Sequence, residues 1–160
     1  MIARANGWAQ FISIQNHYNL IYREEEREMM QLLEEENMVM TPYSVLAAGR
    51  LCRLPNEEQT FRFKDDPNAL FKYDKSKEID YPVNKRVKEV ADKMKISMFL
   101  VALAWVYTKP LIRAPVIGFT NLSQLEEAIK VFKIKLENED IKYLEEAYVP
   151  HPYKGPMLKQ

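Results

Sequence analysis

The chain has 160 residues, 47% of them hydrophobic, and its 23 Lys+Arg balance 23 Asp+Glu to a formal net charge of zero. A balanced charge argues against general nucleic-acid or membrane-surface binding, both of which need a basic excess. A chain of this length can bury roughly two thirds of its surface on folding, so a single domain over residues 1–160 is expected.

The lone cysteine, Cys52, has no internal partner, which fits a reducing compartment. No basic stretch followed by a long apolar one opens the chain, and no apolar run reaches the ~18 residues of a membrane span. The expectation is a cytoplasmic protein with no membrane partner.

In chain order, residues 1–10 read as the end of a helix with Gly7 as its stop. FISIQ, residues 11–15, is apolar and rich in β-favouring types, which predicts a buried strand. NHYNLIY leaves it as a loop. REEEREMMQLLEEEN predicts a helix with Met29, Met30, Leu32 and Leu33 as its apolar stripe. Its glutamates read as a solvated face with acids near the helix start rather than as a metal site. MVMTPY predicts the next strand, at residues 39–42. The stretch CRLPNEEQTFRFKDDPNALFKYDKSKEIDYP is polar, carries three prolines and lacks a sustained period, which predicts a long lid-like loop. A helix resumes at VNKRVKEVADKMK, with Val83, Val87, Val90 and Ala91 on one face. SMFLVALAWVYTK follows as a helix buried on most sides.

APVIG, residues 114–118, predicts a third strand. The following helix is capped by Asn121, with Gln124 at capping-box spacing and Leu125, Ala128, Ile129 and Phe132 on its apolar face. NEDIKYLEEAY predicts the last helix, and a proline-rich tail ends the chain. Alternating strands and helices indicate parallel βαβ units. Either a small open α/β sheet or a portion of a (β/α)8 barrel, which needs around 250 residues when whole, satisfies this order.

In such architectures ligands bind at the carboxyl ends of the strands. Those ends carry Gln15-Asn16, Tyr43-Ser44 and Gly118-Phe119-Thr120. None is a nucleophile–base pair, and the sequence has no Ser/His/Asp spacing, Cys/His cluster or phosphate loop. His17 and His151 read as structural. A flat ring at Tyr43 and a helix start at Asn121 suit the holding of a nucleotide.

The segments FISIQNHYNLIYREEEREM, TPYSVLAAGRL, ALAWVYTKP, PVIGFTNLSQLEEAI and YVPHPYKG stand in the order and spacing of the aldo-keto reductases, and the chain most resembles the aryl-alcohol dehydrogenase-like branch. The resemblance covers the C-terminal half of that family's (β/α)8 TIM barrel. It implies three adjacent parallel strands with helices on one face, NADP(H) as cofactor and a carbonyl substrate. Tyr43 then matches the aromatic that stacks on nicotinamide, where this branch usually carries Trp. Gln15 matches the ligand of the nicotinamide carboxamide. Ser44, Leu46, Ala48 and Gly49 match the loop along the pyrophosphate. Gly118, Thr120, Gln124 and Glu127 match the segment at the adenosine end, and Arg62 resembles an arginine of the loop over the cofactor. Gln124 and Ala128 depart from the Arg and Asn often found there, which removes contacts near the adenine ribose phosphate. The family's Asp/Tyr/Lys/His tetrad belongs to the other half of the barrel. The resemblance therefore implies a fragment inactive alone, or a nucleotide-binding or interaction module that pairs with itself or with a separate N-terminal half-barrel.

Overall fold

Two short strands pair in parallel, β1 (Ser13–Ile14) with β2 (Val39–Met40), in the register Ser13 to Val39 and Ile14 to Met40. The structure, a computed structural model, describes residues 2–55, 57 and 66–152. Beyond the strands the ladder continues as single contacts: Tyr43 N–H donates to Asn16 C=O at 2.9 Å, and His17 bridges Tyr43 in parallel. Helices account for most of the remainder, giving an α/β fold with few strands.

The expected third strand is reduced to a bridge. Met40 N–H donates to Leu111 C=O at 2.8 Å, Arg113 N–H to Met40 C=O at 3.2 Å, and Val116 N–H to Pro42 C=O at 2.8 Å. The segment thus lies beside β2, parallel and in the expected order, but Ile112 is its bridging residue. Prolines explain the shortfall. Pro42 and Pro115 have no N–H to give across the ladder, so regular pairing cannot extend through residues 114–118.

The first strand is also shorter than residues 11–15 and is not buried: Phe11 and Ile12 are 87% and 79% exposed. It has a partner on one side only, β2, so nothing described covers its outer edge. Before it, α1 (Ile2–Ala5) ends as expected at Gly7, whose φ of 65° permits the Trp8 N–H to Ala3 C=O bond that closes the helix.

The loop at residues 17–22 is almost wholly buried. Such a loop must satisfy its own backbone. Asn19 and Tyr22 exchange N–H···O=C bonds at 3.1 and 3.0 Å, and Asn19 Oδ1 accepts the Ile21 N–H at 3.0 Å. His17 is stacked on Tyr22 with ring centres 4.2 Å apart. The acidic run that follows is only one turn of 3-10 helix (Glu24–Glu26), with α2 restricted to Met29–Glu35. Leu33 is its one buried residue, and Leu32 faces out.

The largest correction concerns the predicted loop after Arg50. Asp66 caps a helix, α3 (Pro67–Tyr73), its Oδ1 accepting the N–H groups of Asn68 and Ala69 at 2.9 and 3.3 Å, with Pro67 opening the first turn. The next helix, α4 (Lys77–Met94), begins six residues ahead of its expected start at Val83 and runs through Pro82. Its early turns are held from the core side, where Val83 is buried and Asp80 pairs with His151 at 2.7 Å.

Lys95, at φ 56°, turns the chain into α5 (Met98–Tyr107), capped by Ser97 accepting from Leu100 N–H. Every residue from Leu100 to Val106 is buried, as its uniform apolarity requires. The core lies between α4, α5 and the last helix, α7 (Asn138–Glu146), with Trp105 and Tyr18 stacked at its centre. Between α5 and α7 stands α6 (Leu122–Ile129). Of its expected apolar face only Ala128 is buried; Leu125 and Ile129 are exposed, and Phe132 is 73% exposed. The stripe points away from the core, and Val131, on the following turn, packs inward instead.

Candidate functional site

Small residues after β2 force the geometry of the site. Ser44, Ala47 and Ala48 adopt φ of 57°, 51° and 53°, and Gly49 reaches 90°. Left-handed backbone at non-glycine positions costs about 1–2 kcal/mol each, and such strain persists only where surrounding contacts impose it. Those contacts are visible. Asn19 Nδ2 donates to Ser44 C=O at 2.8 Å, and Ser44 Oγ and the Tyr73 hydroxyl share a bond of 2.9 Å. Tyr73 also contacts His17 Nε2 at 2.6 Å and accepts from Asn19 Nδ2 at 3.1 Å. Burial pushes its phenol well above the usual range, against the opposing hydrogen bonds from Ser44 and Asn19, so it is a neutral hydroxyl. Arg50 is buried against the same ring, 5.1 Å from its centre, and pairs with Asp74 at 2.6 Å.

This strained turn, α3, residues 116–119 and the start of α6 enclose a cleft of about 560 Å³ at the carboxyl ends of the strands. The volume lies within the range of small-molecule and cofactor sites. Of the positions singled out in the sequence, Ser44, Leu46, Ala48, Gly49, Gly118, Gln124 and Glu127 line it. An added Cβ at Gly49 would meet nothing within 4 Å, so the cleft comes close to bare backbone there.

The other predicted positions stand apart from its lining. Gln15 is exposed at the end of β1. Thr120 touches the site through Gln124, whose Oε1 accepts its N–H at 3.0 Å and its hydroxyl at 3.2 Å. The capping arrangement is therefore shifted by one residue: Asn121 Oδ1 accepts the Gln124 N–H, but Gln124 reaches back to Thr120 rather than to Asn121. Tyr43 does not line the cleft; it is half-buried, stacked on His17 at 5.4 Å with Lys72 Nζ 4.5 Å from its ring centre. Arg62 lies outside the described residues.

Sequence reading missed the wall made by α3, which brings Asn68, Lys72 and Tyr73 to the cleft. The signal for it is Asp66-Pro67, an N-cap followed by a proline at the first helical position. Cys52 also lines the cleft; burial pushes its thiol up to about 12, so it is not a thiolate nucleophile at neutral pH. Glu127 accepts a hydrogen bond from Ser97, which caps α5. Among the described residues no group of three His, Cys, Asp or Glu could hold a metal ion, and no helix is long and apolar enough to cross a membrane.

A cleft at the carboxyl ends of parallel strands, with α3 and the start of α6 as walls, is the arrangement of a portion of an α/β barrel. The chain belongs to the aldo/keto reductase family: the family profile matches residues 1–149. It is 39% identical over 155 residues to an aldo-keto reductase of Fusarium vanettenii, covering 96% of this chain and 41% of that protein. It is 40% identical over 155 residues to the versiconal hemiacetal acetate reductase of Aspergillus parasiticus, covering 94% and 45%. Proteins with aryl-alcohol dehydrogenase names from two yeasts are also among its relatives. The fold matches the glycerol dehydrogenase of Gluconobacter oxydans with a TM-score of 0.72 at 24% identity, over 96% of this chain and 48% of that one. The chain thus spans less than half the length of the relatives it matches.

Proposed function

We propose that the chain is the cofactor-carrying C-terminal portion of a cytoplasmic NADP(H)-dependent aldo-keto reductase acting on aldehydes or ketones, inactive without the rest of the barrel. The observation that carries this reading is the convergence of Ser44, Leu46, Ala48, Gly49, Gly118, Gln124 and Glu127 on one cleft. The bare backbone at Gly49 suits the close approach of a pyrophosphate, and Gln124 and Glu127, on the first turns of α6, suit the adenosine end. Tyr43 would stack on the nicotinamide, with Gln15 and Thr120 reaching the ligand from the rim. Bound NADPH would supply the hydride; the residues here bind and orient it. The tetrad that donates the proton would come from the other half.

Stacking on Tyr43 and phosphate contacts near the start of α6 should each contribute on the order of 1 kcal/mol. With one wall of the site, affinity should be on the order of −5 kcal/mol, in the high-micromolar range. Titration of NADPH fluorescence tests this: Tyr43→Ala and Gln124→Ala should weaken binding several-fold. Undiminished binding by Tyr43→Ala would remove the stacking role. With NADPH and an aromatic aldehyde, the chain alone should fall far below the usual 1–10³ s⁻¹ of enzymes.

A second reading is a module that pairs with itself or with a separate N-terminal half-barrel. The exposed Phe11 and Ile12 on one flank and Leu122, Ile129 and Phe132 on the other favour it.

A further inference from the structure

Ser44, the first left-handed residue of the turn after β2, is gripped at both of its polar ends. Its C=O accepts from Asn19 Nδ2 at 2.8 Å and from the Ala47 N–H at 2.9 Å. Its hydroxyl shares the 2.9 Å bond with Tyr73. Both grips converge on one oxygen, because the Tyr73 hydroxyl also accepts from Asn19 Nδ2 at 3.1 Å. Asn19 Oδ1 takes the Ile21 N–H at 3.0 Å, which fixes the way the amide faces. Tyr73 itself is 2% exposed, and the Arg50–Asp74 pair holds the chain immediately after it.

Ser44 lines the cleft with Leu46, Ala48 and Gly49, the stretch assigned above to the pyrophosphate. A serine at φ 57° is strained, and the conformation lasts only where its surroundings impose it. The Tyr73 oxygen is occupied by Ser44, His17 and Asn19, so it acts on a ligand through Ser44. We infer that Tyr73 is a positioning residue: its hydroxyl, delivered by α3, keeps the Ser44 turn in the left-handed form that receives the pyrophosphate. A site that is formed only part of the time binds more weakly in proportion to that fraction, and the hydroxyl keeps the fraction high. The inference rests on the cofactor reading above.

Dissociation constants for NADPH, measured on the full chain by ligand-observed NMR, test it. Tyr73→Phe keeps the ring in the core and removes the hydroxyl alone. Ser44→Ala keeps the strain and removes the other end of the bond. Each should weaken NADPH about tenfold, as the competent turn becomes a minor form. Glycine adopts a positive φ without strain, so adding Ser44→Gly to Tyr73→Phe should tighten binding at least about fivefold over Tyr73→Phe alone. Glycine otherwise loosens a turn, so this gain is the opposite of what a merely structural role of Tyr73 gives. If the double variant binds no better than Tyr73→Phe, or if Tyr73→Phe binds as the unchanged chain does, the positioning role is overturned while the cofactor reading stands. If the unchanged chain does not bind NADPH, the reading fails and the inference with it. Should circular dichroism show Tyr73→Phe unfolded, Ser44→Ala against Ser44→Gly decides alone: Ser44→Ala must bind the more weakly, and the reverse order overturns the role.

Discussion

Gly49 and Ala48 are neighbours in the same left-handed stretch, and they should respond to substitution in opposite directions. Gly49 sits at φ 90°, and a Cβ there would touch nothing within 4 Å. Gly49→Ala therefore adds no clash, only backbone strain, and should destabilise the chain by about 1–2 kcal/mol. Ala48 at φ 53° already bears that strain. Ala48→Gly relieves it but adds freedom to the unfolded chain, worth about 0.4–1 kcal/mol, so it should be neutral to mildly stabilising. Urea unfolding of both variants checks the pair; equal losses would mean that side-chain packing, not φ, governs the turn. At this scale the sequence was informative because small residues bunched after an aromatic have few other uses. It was silent on Tyr73, whose role depends on contacts with His17 and Asn19, over fifty residues away.

Elements far apart in the chain are joined by the acidic run, which is not a plain solvated face. Glu24 accepts from the Tyr148 hydroxyl at 2.7 Å and the His151 N–H at 2.9 Å, and it pairs with Arg27. Glu26 binds Arg23 and the Tyr18 hydroxyl. Burial alone would raise both carboxyls, but these hydrogen bonds and cations outweigh it, and both stand below the ordinary glutamate value. A depressed folded value means that the contribution to stability is full above about pH 4.3 and lost as pH falls through the lower folded values. Thermal unfolding should show a falling midpoint in that acidic window, and Glu24→Gln, which cannot titrate, should flatten part of the slope. A slope unchanged by Glu24→Gln would assign the acid limb to other carboxylates. The long uniform helix α5 was legible because eight buried residues in ten leave one interpretation. Strand lengths were not, because prolines and a missing lateral partner decide them, and neither acts through local periodicity. Helix α3 was hidden because acid-proline is equally a turn and a helix start.

On the whole molecule, the two flanks share a character that the core does not need. Phe11 and Ile12 immediately precede β1; Leu122, Ile129 and Phe132 lie along α6 and its extension. The stripe on α6 is legible as apolar in the sequence, but one sequence cannot say which neighbour a face is waiting for. Sedimentation should show association of the chain rising with concentration, and Phe132→Glu should reduce it without lowering thermal stability. A monomer at all concentrations would mean that these side chains tolerate water unaided.

The two tryptophans divide the molecule in a further way. Trp105 is fully enclosed, its indole N–H donating to Glu145 at 2.8 Å, with Lys109 and Arg23 over its ring. Trp8, which closes α1, is 62% exposed. Their emissions should therefore separate in colour, the buried indole blue and shielded, the exposed one red and open to collisional quenchers. Iodide should extinguish the red component alone in the native protein. Anything that covers Trp8 should protect it while leaving Trp105 unchanged, so the chain carries one optical gauge of its folding and a separate one of its company.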